Sequence, residues 1–276
     1  MNRKAKTPLT DKLLATISRL LSFVCLPKCI SCKEVLPHSG ELCEECRAIW
    51  ADARRERCPI CQKTARACRC LPISLCYTDS IGDRRISALA FYKKFGSDDI
   101  RDILVRRIIY AVKTDTDRSS VRFAARELSR EILKTLALSG EKAKDWKITY
   151  PPRSRQRILR YSFDQGRDLA REISRFTGIP FEETLENHKG AAQKNLNAAE
   201  RKRNAESAYR LKKGCTPTGK YFIIDDIITT GATLNAATLI LKENGAEAVY
   251  PVCIARTKKK KRKVRHMAQR PWFRSI

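Results

Sequence analysis

The apolar positions of this chain change period several times along its length. Leu13, Leu14, Ile17, Leu20, Leu21 and Val24 recur at helical spacing, interrupted by Asp11, Lys12 and Arg19, and predict an amphipathic helix within residues 1–24. Val121, Ala124, Leu128, Ile132 and Leu136 mark a longer helix. Leu169, Ile173 and Phe176 mark the inner face of another, which Gly178 and Pro180 end. Lys147 to Tyr150 reads as a short strand. Phe222, Ile223 and Ile224 show no polar alternation, as expected of a parallel strand covered on both faces. A helix from about Thr233 to Asn244, closed by Gly245, comes after it, and the chain returns as a strand over Ala248 to Ile254. This alternation predicts an α/β domain over residues 116–257, with a parallel sheet and right-handed crossovers. Residues 77–115 show only helical patches and read as a connecting helical region.

The residues just beyond the apolar strand carry chemistry. In YFIIDDIITTGAT, Tyr221 to Thr233, the strand delivers Asp225 and Asp226 to its carboxyl end, where ligands of open α/β sheets bind. Thr229, Thr230, Gly231, Ala232 and Thr233 are small residues whose hydroxyls and backbone N–H groups can converge on a phosphate at the start of the next helix. A sugar on that phosphate would lie beside the carboxylates. Taken alone, an Asp pair after an apolar strand is usually a polar strand end or a helix cap, and it is the whole string that points to a ligand. Pro151, Pro152, Arg153 and Ser154 leave the earlier strand and form a candidate pyrophosphate loop with Arg155 nearby; the plain reading is a Pro-rich turn with solvated arginines. Residues from about His188 to Asn204 are polar and basic, suited to a cover over the site or to an exposed helix and loop.

Ten of the 12 cysteines fall between Cys25 and Cys76. Cys29-x-x-Cys32 with Cys43-x-x-Cys46 after it has the spacing of a four-thiolate zinc ribbon, each close pair turning both sulfurs inward on a tight knuckle. Cys58-x-x-Cys61 with Cys68 and Cys70 reads as a second site, although its C-x-C half departs from the usual spacing. Residues 25–76 therefore read as a double zinc ribbon with two closed, structural Zn²⁺ sites. A disulfide framework is the alternative, and the chain shows no secretion signal to favour it. His38 is a possible substitute ligand, and Cys25, Cys76, Cys215 and Cys253 read as buried or incidental thiols.

With 276 residues and 42% hydrophobic composition, the chain has room for one ordinary domain and a small one. The formal charge of +27 attracts polyanions and small phosphate-bearing anions alike. No stretch reads as a membrane span, so a soluble, cytoplasmic protein is expected. No Ser/His/Asp constellation points to a covalent nucleophile.

The D-D-x-x-T-T-G-x-T string resembles the phosphoribosyl-diphosphate (PRPP) motif of type I phosphoribosyltransferases. Together with the paired cysteine clusters it resembles the ComF family of competence-associated proteins, over roughly residues 20–257. YPPRSRQRILRYSFDQ, Tyr150 to Gln165, is similar to a family segment with an R-G-F-N-Q helix start: Phe163 and Gln165 keep that pattern, while Tyr161, Ser162 and Asp164 stand where Arg, Gly and Asn are common. Gln193, Leu196, Glu200, Arg201 and Asn204 fit the family's Q-x-x-L-x-x-x-E-R-x-x-N arrangement. The resemblance implies a Rossmann-like type I phosphoribosyltransferase fold with an N-terminal zinc-ribbon module. It implies that Asp225 and Asp226 hold the ribose hydroxyls of PRPP, that Thr229 to Thr233 hold its 5′-phosphate, and that Mg²⁺ accompanies it. It is compatible with two functions: phosphoribosyl transfer to an unknown acceptor, linked to DNA uptake, or non-catalytic work on single-stranded DNA beside a DNA-translocating helicase, with PRPP as a regulatory ligand.

The run RTKKKKRKVR, Arg256 to Arg265, opens a basic tail assigned to residues 258–276, with only Trp272 and Phe273 nearby to stack on bases. Removing the tail is expected to weaken single-stranded DNA binding and flatten its salt dependence while sparing PRPP binding. Titrations across a salt series check this, and an unchanged affinity and salt slope would refute the assignment.

Overall fold

The computed structural model describes residues 26–37, 40–68, 70, 87–93, 96–114, 118–161, 163–188 and 208–258. The N-terminal amphipathic segment, Cys25, His38, Cys76, the 193–204 stretch and the tail beyond Lys258 lie outside the described residues. The described elements are α1 (Glu44–Arg55), β1 (Ser87–Tyr92), α2 (Ile100–Thr114), α3 (Ser119–Ser139), β2 (Trp146–Thr149), α4 (Arg155–Tyr161), α5 (Gln165–Thr177), β3 (Leu185–Asn187), β4 (Tyr209–Leu211), β5 (Gly219–Ile228), α6 (Ala232–Glu243) and β6 (Ala246–Thr257). Four strands form one parallel sheet in the order β1-β6-β5-β2, and β3 with β4 makes a small antiparallel pair. This is the expected α/β fold.

Alternation along β5 explains why the sheet is buried on both faces. Phe222 and Ile224 share a core with α2, α3 and α5 through Ile108, Leu128, Leu169 and Ile173. Tyr221 and Ile223 share the other core with Leu234, Ala237 and Leu241 of α6. A strand whose successive side chains enter two different apolar layers has no polar positions to spare until it reaches Asp225. Gly245, at φ +110°, makes the turn into β6, where a Cβ would come within 2.8 Å of the Pro217 carbonyl.

Several expectations change. The stretch read as a connecting region supplies β1, paired in parallel with β6, and α2, whose Leu104, Val105, Ile108, Ile109 and Val112 lie in the core. Ser-Ala-Leu-Ala-Phe-Tyr hides its strand because small residues carry weak β preference, and packing against β6 decides the outcome. Phe176 is 42% exposed; Ala170 is buried beside Leu169 and Ile173 instead. The two central strands are longer than their apolar runs, so Asp225 and Asp226 lie within β5, and β6 runs on past Ile254 to include Arg256 and Thr257. Lys258 is also structural, bonding Glu56 at 2.5 Å and Asp102 at 3.0 Å, so a tail truncation should begin after it.

The cysteine-rich segment is part of this core. Cys29, Ile30, Leu42, Cys46 and Trp50 belong to the first apolar layer, and Cys58, Ala65 and Cys68 to the second. Two buried carboxylates of α3 hold it in place. Glu127 accepts from Trp50 Nε1 at 2.9 Å and Arg54 Nη1 at 2.8 Å, while Glu131 is paired with Arg66 and accepts from Ser87 Oγ at 3.0 Å. Each acid would be costly at these depths without its partners. Glu127→Ala strands the buried Trp50 N–H and is expected to cost about 2 kcal/mol. Denaturant unfolding checks this, and a parent-like midpoint would show that Glu127 does not anchor α1.

Candidate functional site

β2 and β5 are adjacent and parallel, with Thr149 opposite Ile223, so the loops leaving their carboxyl ends share one edge of the sheet. This brings Pro151–Ser154 to the same edge as Asp225, Asp226 and Thr229–Thr233, although about seventy residues of chain separate them. Asp164, the N-cap of α5, joins the parts. One oxygen accepts from Gly166 N at 3.2 Å and the other from Arg153 N at 3.1 Å, so aspartate serves where the family pattern has Asn. Asn187 Nδ2 bonds the Pro152 carbonyl at 3.1 Å from the other side. Gly166 packs closely here: a Cβ would sit 3.0 Å from the Tyr150 ring, which would have to shift to admit it.

The next residue, Gln165, donates through Nε2 to Asp226 Oδ2 at 3.1 Å, and Lys113 Nζ from the end of α2 reaches the same oxygen at 2.8 Å. Asp226 is 7% exposed, and its other oxygen accepts from Ile227 N at 2.7 Å. Asp225 Oδ1 accepts from Asp226 N at 2.8 Å. Burial, reinforced by the neighbouring carboxylate, pushes the Asp225 carboxyl well above its ordinary range. Asp164 is pushed up as well, by burial opposed by its backbone N–H partners. Among the described residues, Ser154 Oγ and Gln165 Oε1 are buried polar atoms without a protein partner, both on segments of this edge.

β5 passes through Thr229 and Thr230 to Gly231, whose φ of +77° makes it the N-cap of α6. No side chain caps this helix by bonding its first turn from the Gly231 position, and Thr230 Oγ1 makes only a 3.4 Å contact with Ala232 N. The N-terminal amides of α6 therefore point along the edge where an anion can meet them. A separate depression of about 530 Å³, lined by Arg167, Arg171, Phe181, Glu183, Lys212 and Cys215 among others, includes none of the predicted residues. The apolar strand and polar loop revealed the Asp pair and Thr loop. Lys113 carried no sequence signal, because an exposed lysine at a helix end is unremarkable until the fold brings it to Asp226.

Both predicted cysteine tetrads are assembled. The four Sγ atoms of Cys29, Cys32, Cys43 and Cys46 lie within 4.8 Å of one another, as do those of Cys58, Cys61, Cys68 and Cys70. Tetrahedral zinc with Zn–S near 2.3 Å needs sulfur–sulfur edges of about 3.8 Å. The Cys32–Cys43 and Cys61–Cys68 separations of 3.6 Å match that edge and exceed any disulfide bond, and all ten described cysteines are free. The first halves are near copies. Cys29 N bonds Glu34 O and Lys33 N bonds Cys29 O at 2.8 and 3.0 Å, while Cys58 N bonds Lys63 O and Gln62 N bonds Cys58 O at 2.8 and 2.9 Å, with Lys33 and Gln62 both left-handed. Burial resists ionisation of Cys29 and Cys61, yet backbone N–H groups directed at their sulfurs help to bring both thiols down to about 7. The second halves differ: Cys43 caps α1 and Cys46 lies in its first turn, whereas Cys68 and Cys70 sit on a loop. Each soft, four-thiolate set fits one structural zinc ion and leaves no open ligand position.

A parallel α/β sheet with the D-D-x-x-T-T-G-A-T string at the carboxyl end of a central strand, docked on two four-cysteine clusters, defines a type I phosphoribosyltransferase-like protein with an N-terminal zinc-ribbon module. Its curated relatives are named as competence proteins and DNA utilization proteins. The chain is 27% identical to competence protein ComFC of Streptococcus pneumoniae over 215 residues, 78% of this chain and 87% of that one. It is 33% identical to the DNA utilization protein YhgH of Salmonella typhimurium over 146 residues, 51% of this chain and 63% of that one. No protein-family model matches. Among solved structures it is similar to a purine phosphoribosyltransferase from Pyrococcus horikoshii, at 18% identity over 49% of this chain and 72% of that one, with a TM-score of 0.30. The strand order and register, not that overlap, carry the architecture. No helix among the described residues is long and apolar enough to cross a membrane.

A carboxyl whose folded pKa is raised holds its proton more tightly in the folded state, so ionising it costs stability as pH rises above the ordinary value of 3.8. Asp225→Asn removes that cost. The variant is expected to unfold at higher denaturant concentration than the parent at pH 7, with the gain shrinking towards pH 4. A loss of stability at both pH values would show that Asp225 is held ionised by its surroundings.

Proposed function

We propose that the edge formed by Asp225, Asp226, Thr229–Thr233 and Pro151–Ser154 binds PRPP with Mg²⁺. The observation that carries this reading is the hydrogen-bonded chain across the edge, from the Arg153 amide through Asp164 and Gln165 to Asp226 and Lys113. In this reading the α6 amides and the Thr229–Thr233 loop take the 5′-phosphate, and Asp225 and Asp226 take the ribose hydroxyls. The carboxyl oxygens of Asp225 and Asp226 offer adjacent partners to the two hydroxyls of a diol. Pro151–Ser154 lies on the side where pyrophosphate would leave. Two adjacent buried carboxyls form a hard oxygen donor set suited to Mg²⁺, which when bound would neutralise charge on that leaving group.

Transfer would break the bond between the ribose anomeric carbon and the pyrophosphate oxygen and form one to the acceptor, which gives up a proton. The protein's part is to position the two groups and to stabilise the departing charge with Lys113 and Arg153. The zinc-ribbon module supports the fold. A second reading is favoured by the names of the relatives and by the charge of +27: the same site regulates a non-catalytic, cytoplasmic protein that handles single-stranded DNA beside a translocating helicase.

Calorimetric titration of the zinc-loaded protein with PRPP and Mg²⁺, alongside Asp225→Asn/Asp226→Asn, tests the site. Binding by the parent that falls at least tenfold in the double variant is expected. Acceptor-dependent pyrophosphate release would then separate transferase from regulator, and absence of binding by the folded parent would refute the site.

A further inference from the structure

Arg256 is 2% exposed, near the end of β6, and among the described residues it has no carboxylate within ion-pair distance. Its guanidinium instead donates through Nη1 to the Cys68 carbonyl and through Nη2 to the Cys70 carbonyl, both at 2.7 Å. A buried arginine without an anion is costly. The Cys68 sulfur lies within electrostatic reach of the guanidinium, and the second tetrad, with four thiolates around Zn²⁺, would be a dianion. The same strand end touches the Thr loop: Arg256 is the register partner of Ile228, and Thr257 Oγ1 donates to the carbonyls of Ile228 and Thr229 at 3.4 and 3.1 Å. Among the described residues the first tetrad shows no such link; it is tied to the fold through α1 and α3.

We propose that Arg256 is the counterion of the second zinc–thiolate site and the positioning residue that couples this site to the Thr229–Thr233 loop. Arg256 fixes the C-x-C half of the tetrad against the end of β6, and Thr257 passes that position to the first residue of the loop. The C-x-C spacing then has a cause: Cys68 and Cys70 present two carbonyls to one guanidinium fork. The metal arm of the proposal is independent of the phosphoribosyl reading, whereas the ligand arm rests on it.

The test uses the full chain loaded with zinc. Arg256→Met is expected to speed transfer of one of the two zinc equivalents to a chromogenic chelator by about tenfold and to leave the other at the parent rate. Arg256→Lys, which keeps the charge but loses the fork, should fall between them. Acceleration of both zincs together, or none, would overturn the counterion role. Thr257→Val covers the case in which Arg256→Met fails to fold. It should release zinc at the parent rate yet speed amide hydrogen exchange at Thr229 to Gly231, as should selective removal of the second zinc by Cys58→Ser. Unchanged exchange in both variants would overturn the coupling. By linkage, PRPP should slow release of the second zinc only. If exchange responds and PRPP has no effect, the coupling stands and the ligand assignment fails.

Discussion

A parallel sheet has to be covered on both faces, because its crossovers and the apolar runs that build it leave no side for water. Here the two faces are covered unequally. α2, α3 and α5 fill one layer, but α6 provides most of the helical cover of the other, whose core is completed by Cys58, Ala65 and Cys68 together with Phe91 of the edge strand. Among the described residues, the second cysteine cluster therefore supplies cover that a helix gives elsewhere. This constraint explains why the described part of the cysteine module shares the core of the sheet, with Cys29, Cys46, Cys58 and Cys68 buried in it.

A segment of this size is too short to build a large core of its own, and metal held by the two tetrads would supply the cross-link that hydrophobic area does not. Docking then depends on polar contacts that cannot be lost singly. Glu127 and Glu131 lie on a core helix and are tolerable only because Trp50, Arg54, Arg66 and Ser87 meet them. Arg256 is the mirror case, a buried cation on the sheet that is tolerable only because the module meets it. Charges buried on both partners, each satisfied by the other, fix one docking geometry where apolar packing alone would allow several.

The fold was legible where pattern and chemistry coincide. Phe222–Ile224 announced a central strand, the cysteine spacings announced two tetrads, and the Asp pair with its Thr/Gly loop announced the edge on which a ligand would bind. What escaped was decided by tertiary packing. β1 is made of residues with little strand preference and exists because β6 offers it a partner. Lys113 and Arg256 are a helix-end lysine and the first residue of a basic run, and only their neighbours in space give them roles. Arg256 opens the basic run in sequence, yet its side chain is buried at the end of the sheet.

The candidate ligand edge runs against the logic of the rest of the protein. Elsewhere buried acids are neutralised in pairs; at the carboxyl end of β5 two carboxyls sit side by side, and one lysine and one glutamine amide serve only Asp226. Asp225, half-buried beside it, accepts from the Asp226 backbone N–H. A fold that takes such care over Glu127, Glu131 and Asp102 has no structural reason to leave this pair under-compensated. Under-compensated groups at the carboxyl edge of a parallel sheet, beside an uncapped helix N-terminus, are a cost that a ligand carrying hydroxyls, phosphate and a divalent cation would relieve on binding.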